Sequence, residues 1–186
     1  MLLTGLVSLK QIEHTFHFDI DATPEEVWRA LHPPARSQPG EKRVITHGDV
    51  RIEIWFEGDE NGQGLVRHCT YRVPKLLLSG GVGRSWECVV ESKPNESSRY
   101  EAIGKPVWSR ASGWHRLEPL SGTRTRVHFG ETFFAFNPIV RFFLQGYTHR
   151  FISKDNDRLV KTGVEQGVAA IRASRARKAA ASPTGG

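Results

Sequence analysis

The chain has 186 residues, 38% hydrophobic and 25% charged, which suits one packed domain without disulfide or metal staples and excludes general disorder. Of the net charge of +6, most is carried after Ile171, where Arg172, Arg175, Arg177 and Lys178 stand without an acid. The body is thus close to neutral and is not expected to bind a specific nucleic acid, while the tail reads as a solvated terminus or a contact for an anionic surface.

Residues 1–11 form an N-terminal extension whose apolar stretch has no basic residue ahead of it and no cleavage pattern behind it. Ile12–Ile20 alternates His14, Phe16, Phe18 and Ile20 with Glu13, Thr15, His17 and Asp19, the period of a half-buried strand. Thr23 then offers an N-cap, Pro24 the first helical position, and Glu26 the third residue of a capping box. Val27, Trp28 and Leu31 supply the apolar stripe of that helix, and Pro33-Pro34 ends it.

From residue 48 onward, period-two segments alternate with turns at 58–62, 93–96 and 118–122, which predicts an antiparallel meander rather than βαβ units. One connection, 74–83, is long and apolar for a hairpin. It can pack locally, close over a cavity, or touch a membrane transiently through Leu76-Leu77-Leu78. Asn137-Pro138 starts a second helix, whose apolar positions recur at three- and four-residue steps to about Ala173, with Gly146, Gly163 and Gly167 as weak points or close-contact sites. Residues 174–186 are basic and low in complexity and are expected to be disordered.

Cys69 and Cys88 lie in strand-like segments without a CxxC or zinc spacing, and no apolar run approaches the ~18 residues that span a bilayer. A reducing, cytoplasmic setting with two free thiols is the expectation.

A strand, a capped helix with a tryptophan, a meander and a long terminal helix make an order that resembles the SRPBCC superfamily: START domains, birch-pollen-allergen-like proteins and polyketide cyclase/dehydrase-like proteins. The likeness is carried by Asp21-Ala22-Thr23-Pro24-Glu25-Glu26-Val27-Trp28, by Trp114-His115-Arg116-Leu117-Glu118-Pro119 leading to Gly122-Thr123-Arg124-Thr125-Arg126-Val127, and by the phenylalanine-rich start of the last helix. It covers 12–173 and implies an α+β helix-grip fold: a curved antiparallel sheet of six to seven strands wrapped around the long C-terminal helix, with short helices after the first strand. It also implies an interior that admits lipids, polyketides or other apolar molecules.

Strand parity places Ile54, Phe56, Trp86, Val90, Tyr100 and Phe129 on the inner wall, with Trp114 nearby and Tyr147 and Phe151 facing them from the helix. These are either a ligand lining or plain core. Glu131 shares its side of the strand with Val127, Phe129 and Phe133, so its carboxylate points inward and needs a partner such as His68, Arg110 or Tyr100. It is then either a general acid/base, with His68, on a carbonyl-bearing substrate, or a structural hydrogen-bonding group, or is turned outward by a bulge. His14 can join this site; His17, His115 and His128 fall on the opposite parity. No metal-ligand spacing, nucleophile elbow or dinucleotide fingerprint is present, so neither a metal nor a cofactor is expected. Three functions stay open: a carrier or sensor of an apolar molecule, a cyclase, dehydratase or isomerase, and an interaction module.

Overall fold

The computed structural model describes residues 11–32, 43–77 and 79–181. Among these, eight strands form one antiparallel sheet in the order β1-β8-β7-β6-β5-β4-β3-β2: β1 (Ile12–Ile20), β2 (Arg43–His47), β3 (Val50–Phe56), β4 (Val66–Arg72), β5 (Val82–Lys93), β6 (Ser97–Lys105), β7 (Ser109–Ser121) and β8 (Arg124–Ala135). The sheet and the terminal helix are those of the helix-grip fold, with one strand more than the upper expectation: the five-residue β2, a short edge strand. Leu78 of the predicted membrane-contact triplet, the first ten residues and residues 182–186 lie outside the described residues.

Helix α1 (Pro24–Leu31) begins as its sequence dictates. The Thr23 hydroxyl accepts from the Glu26 N–H, and the Glu26 carboxylate accepts from the Thr23 N–H, so two otherwise orphaned backbone donors are satisfied. At the other end of the chain, Asn137 caps α2 (Pro138–Phe143) by accepting from the N–H groups of Ile139 and Val140. The predicted single rod is broken at Leu144, after which α3 runs over Gln145–Ala181, about 55 Å at 1.5 Å per residue. It passes the expected end near Ala173 and takes in most of the segment expected to be disordered. Alanine and arginine are strong helix formers there. Arg172 and Arg175 also bond to the buried Glu26 carboxylate of α1, at 2.9 and 3.3 Å.

Helix α3 lies on β1 and β8 and against α1. The main core fills this corner: Phe18, Ala22, Val27, Trp28, Leu117, Val127, Val164 and Val168 are buried together. Gly167 lets the helices meet, since a Cβ there would stand 2.7 Å from the Ala30 Cβ. A smaller cluster of Val107, Phe133 and Ala135, with Leu77 and Val140 packed on it, ties the 74–82 connection and α2 to the opposite end of the sheet.

Candidate functional site

The register of the sheet determines what faces α3. On β8, Val127, Phe129 and Glu131 pair with Phe18, Phe16 and His14 of β1, and with Leu117, His115 and Gly113 of β7. Across the rest of the sheet the same inner face presents Ser98, Tyr100 and Ala102 of β6, Ser85, Glu87 and Val89 of β5, and Arg67, Cys69 and Tyr71 of β4. Over β4–β6 this inner wall is polar, and its Arg67, Tyr71, Glu87 and Tyr100 remain partly reached by solvent.

Several expected lining residues are elsewhere. Trp86 and Val90 were expected inward because they are apolar, but β5 turns Glu87 inward and Trp86 outward, where it meets Trp55 and His68 ring to ring at 5.3 and 5.0 Å. His68 is therefore on the convex face and far from partnering Glu131. Arg110 is convex too, bonded to Glu101. Trp114 lies flat on Gly130 on the outside, where a Cβ would be 2.4 Å from the ring, and its neighbour His115 takes the inner position. A bulge between Ile54 and Phe56 throws Phe56 out to 66% exposure. Tyr147 is half exposed, and Phe151 is partly buried. Ile54, Tyr100, Phe129 and Glu131 face inward.

Glu131 is held by the helix. Its carboxylate accepts from the Ser153 hydroxyl and, at 3.1 Å, from the Asn156 amide; His149 stands 3.6 Å away. Burial raises the Glu131 carboxyl above the ordinary range against the pull of these bonds, and burial together with His14 depresses His149 to about 4. His14 completes the cluster by bonding Asp157 at 2.8 Å. These contacts tie β1 and β8 to the first third of α3.

A second polar group lies on β4–β6. The Arg67 Nε donates to Glu87 at 2.7 Å, and its guanidinium lies over the Tyr100 ring at 5.2 Å. Ser85 donates to the other Glu87 oxygen at 2.9 Å. Burial opposes the Arg67 cation, but Glu87 outweighs it and holds the guanidinium charged. Burial also pushes the Tyr71 and Tyr100 phenols and the Cys69 thiol upward, keeping all three protonated. The Tyr100 ring lies on Gly113 and Tyr71 on Gly83, where Cβ atoms would come within 2.3 and 2.6 Å of the rings. Both aromatics thus lie flat against the wall.

Beside Arg67 lies an aromatic triad. Trp28 stacks on His32 at 3.9 Å, and His115 meets His32 at 5.1 Å. Burial depresses His32 to about 4, and burial with the neighbouring His32 and Arg67 depresses His115 to about 3, so both rings are neutral at physiological pH. The His115 Nε2 is buried with no hydrogen-bond partner among the described residues.

The space between sheet and helix opens at the end opposite the main core. A cleft of about 700 Å³ is bounded there by Tyr71, Val73, Pro74, Leu76 and Gly80–Val82 on one side and by Tyr147 and Phe151 on the other. The 74–83 connection thus packs locally, through Leu77, and edges this opening. Among the described residues no group of three His, Cys, Asp or Glu could hold a metal, and no helix is long and apolar enough to cross a membrane.

Arg67, Glu87, Tyr71 and His115 were not singled out by sequence as inner-wall residues. The available signal was the alternation Arg67-Cys69-Tyr71 opposite Gly83-Ser85-Glu87, whose charged pair is complementary across the two strands.

Comparison with known structures agrees with this architecture. The ZhuI aromatase/cyclase from Streptomyces sp. R1128 superposes with a TM-score of 0.63 at 14% identity, over 89% of this chain and 98% of its own. A START superfamily protein from Mycobacterium smegmatis gives 0.59 at 10% identity, over 87% and 99%. Ara h 8.0201 gives 0.53 at 19%, over 86% and 99%. At these identities the likeness speaks for the fold alone. No curated protein matches the chain by sequence. The model of the family described as polyketide cyclase / dehydrase and lipid transport matches residues 11–164, and the chain belongs to that family, within the SRPBCC superfamily.

Proposed function

We propose that the chain is a cytoplasmic carrier or sensor that takes an apolar small molecule, a lipid, polyketide or similar, into the space between sheet and helix. The molecule carries an oxygen function that meets Arg67 and His115. The observation behind this reading is the buried His115 Nε2, without a partner among the described residues, beside a charged Arg67 on a wall whose aromatics lie flat. A buried polar atom without a partner costs about 1–3 kcal/mol, a cost that a ligand hydroxyl or carbonyl group would remove. Native mass spectrometry of protein purified from cells tests this. A bound small molecule is expected, held about tenfold less tightly by His115→Phe. Protein that carries nothing and takes up no hydrophobic probe would remove the reading.

A second reading is a cyclase or dehydratase that needs neither metal nor nucleotide, favoured by the raised carboxyl of Glu131 beside Tyr100. A carboxyl that holds its proton more tightly than usual can exchange it with a carbonyl-bearing substrate, with Arg67 stabilising negative charge on the oxygen. Turnover of an identified substrate that survives Glu131→Gln would exclude it.

A further inference from the structure

Exposed apolar side chains gather at the open end of the molecule. Ile139, Phe142 and Phe143 of α2 are 68%, 74% and 72% exposed, Trp108 in the β6–β7 turn is 56% exposed, and Leu76 and Tyr147 on either side of the cleft are 49% and 54% exposed. Four separate segments present them, and three of these pack as one body: the Phe136 N–H donates to the Trp108 carbonyl, and Leu77 and Val140 pack on the Val107 cluster. Isolated exposed apolar residues are ordinary, but a shared patch around a cavity mouth is not.

The charges at this end have one prevailing sign. Arg72 at the end of β4, Lys75, Arg84 near the start of β5, Lys105 at the end of β6, Arg141 in α2 and Arg150 early in α3 surround the patch, against Asp49 and Glu13. Asp49 is itself bonded to Arg72. The acids Asp19, Asp21, Glu25, Glu26, Glu91, Glu96 and Glu118 lie toward the opposite end. Aromatic and aliphatic tips interleaved with lysine and arginine are suited to the boundary between headgroups and acyl chains, where the tips enter the apolar zone and the cations meet anionic headgroups. A bilayer also asks for no shape complementarity, which suits side chains projecting separately from four segments.

We propose that this end docks on an anionic membrane surface, with α2 and Trp108 entering the interface, so that the cleft between Leu76 and Tyr147 opens directly onto lipid. The docking goes beyond interior binding and can fail without it, because the two are read by different measurements: vesicle partition here, the mass of a co-purified molecule there.

Flotation of the full chain with vesicles of phosphatidylcholine, alone or with about one-third phosphatidylglycerol, tests the proposal. The chain should float with the anionic vesicles and be released by salt. Phe142→Ser/Phe143→Ser, whose side chains are solvent-exposed, should keep the wild-type Tm and lose at least about tenfold in partition. Lys75→Glu/Arg150→Glu should lose binding to the anionic vesicles while keeping its fold. The proposal is overturned if the wild type stays unbound, if the phenylalanine variant partitions equally, or if size-exclusion shows a dimer that this variant dissolves while vesicles never bind. In that last case the patch is an interface between copies.

Discussion

Acid should loosen this protein well above the pH at which its carboxylates titrate, and His115 is the residue to test. Its folded value of about 3 lies below the ordinary 6.5, so below pH 6.5 the unfolded chain takes up a proton that the native ring refuses. Stability from this group is therefore present at neutral pH and is lost as pH falls from 6.5 toward 3, at up to about 1.4 kcal/mol per pH unit. Between pH 7 and pH 5 the loss from His115 alone comes to about 2 kcal/mol. The lowered carboxylates Asp19, Glu26, Glu91 and Glu118 give up their contribution only below their ordinary values of 3.8 to 4.5, outside this window. Glu131, raised, acts with the opposite sign in wild type and variant alike and cancels in the comparison. Urea unfolding of wild type and His115→Phe at pH 7.0 and 5.0 is the assay. The variant should equal or exceed wild-type stability at pH 7, because a buried nitrogen without a partner among the described residues is removed from beside the Trp28–His32 stack, and should lose about 2 kcal/mol less on acidification. Equal pH sensitivity in the two proteins would refute the reasoning.

Three further outcomes follow from the packing. Glu131→Leu leaves the Ser153 hydroxyl and the Asn156 amide without their acceptor and should cost about 2–4 kcal/mol in chemical denaturation, whereas Glu131→Gln keeps an acceptor and should cost less than about 1.5. Arg67→Met strands the Glu87 carboxylate and should destabilise by about 3–5 kcal/mol, most of it recovered in Arg67→Met/Glu87→Leu; a double variant no better than the single would contradict the pair. Gly113→Ala drives a Cβ into the Tyr100 ring, so it should cost about 1–3 kcal/mol and reduce uptake of a fluorescent hydrophobic probe as the displaced ring takes up cavity space.

The parts of the fold that could be read in advance were those governed by local chemistry. Thr23, Pro24 and Glu26 specify a helix start wherever they occur together, and the strict alternation of Ile12–Ile20 yields its inner face without reference to a partner. Short β2 was missed because it carries no long period. Inner and outer faces were misread where the rule of apolar side chains inward fails. On β5 that rule favours Trp86 over Glu87, yet Arg67 across the strand pair makes the buried carboxylate acceptable. On β7 it set Trp114 near the lining, although Gly130 offers that indole a seat outside and leaves His115 on the inner face, ring to ring with His32. The inward Glu131 could be read from its strand, but its partners could not. Ser153 and Asn156 sit 22 and 25 residues downstream, and the rotational phase of a helix over a sheet depends on packing between elements that periodicity within either does not report.

Helix α3 is fastened unevenly, with a dry seam of Val27, Trp28, Val164 and Val168 plus the arginine clasp on Glu26 along its C-terminal half and mainly polar ties in its first third, where Gln145 accepts from the Ala135 N–H and the 149–157 turns hold Glu131 and His14. The molecule is thus built like a clothes peg. Its pivot is the proline-started turn after β1, its jaws are Leu76 and Tyr147, and the excursions that cost least free energy part those jaws while leaving the pivot closed. Admission of a guest therefore requires no unfolding of the hub, and amide exchange should be fastest in the opening turns of α3 and slowest around Val164.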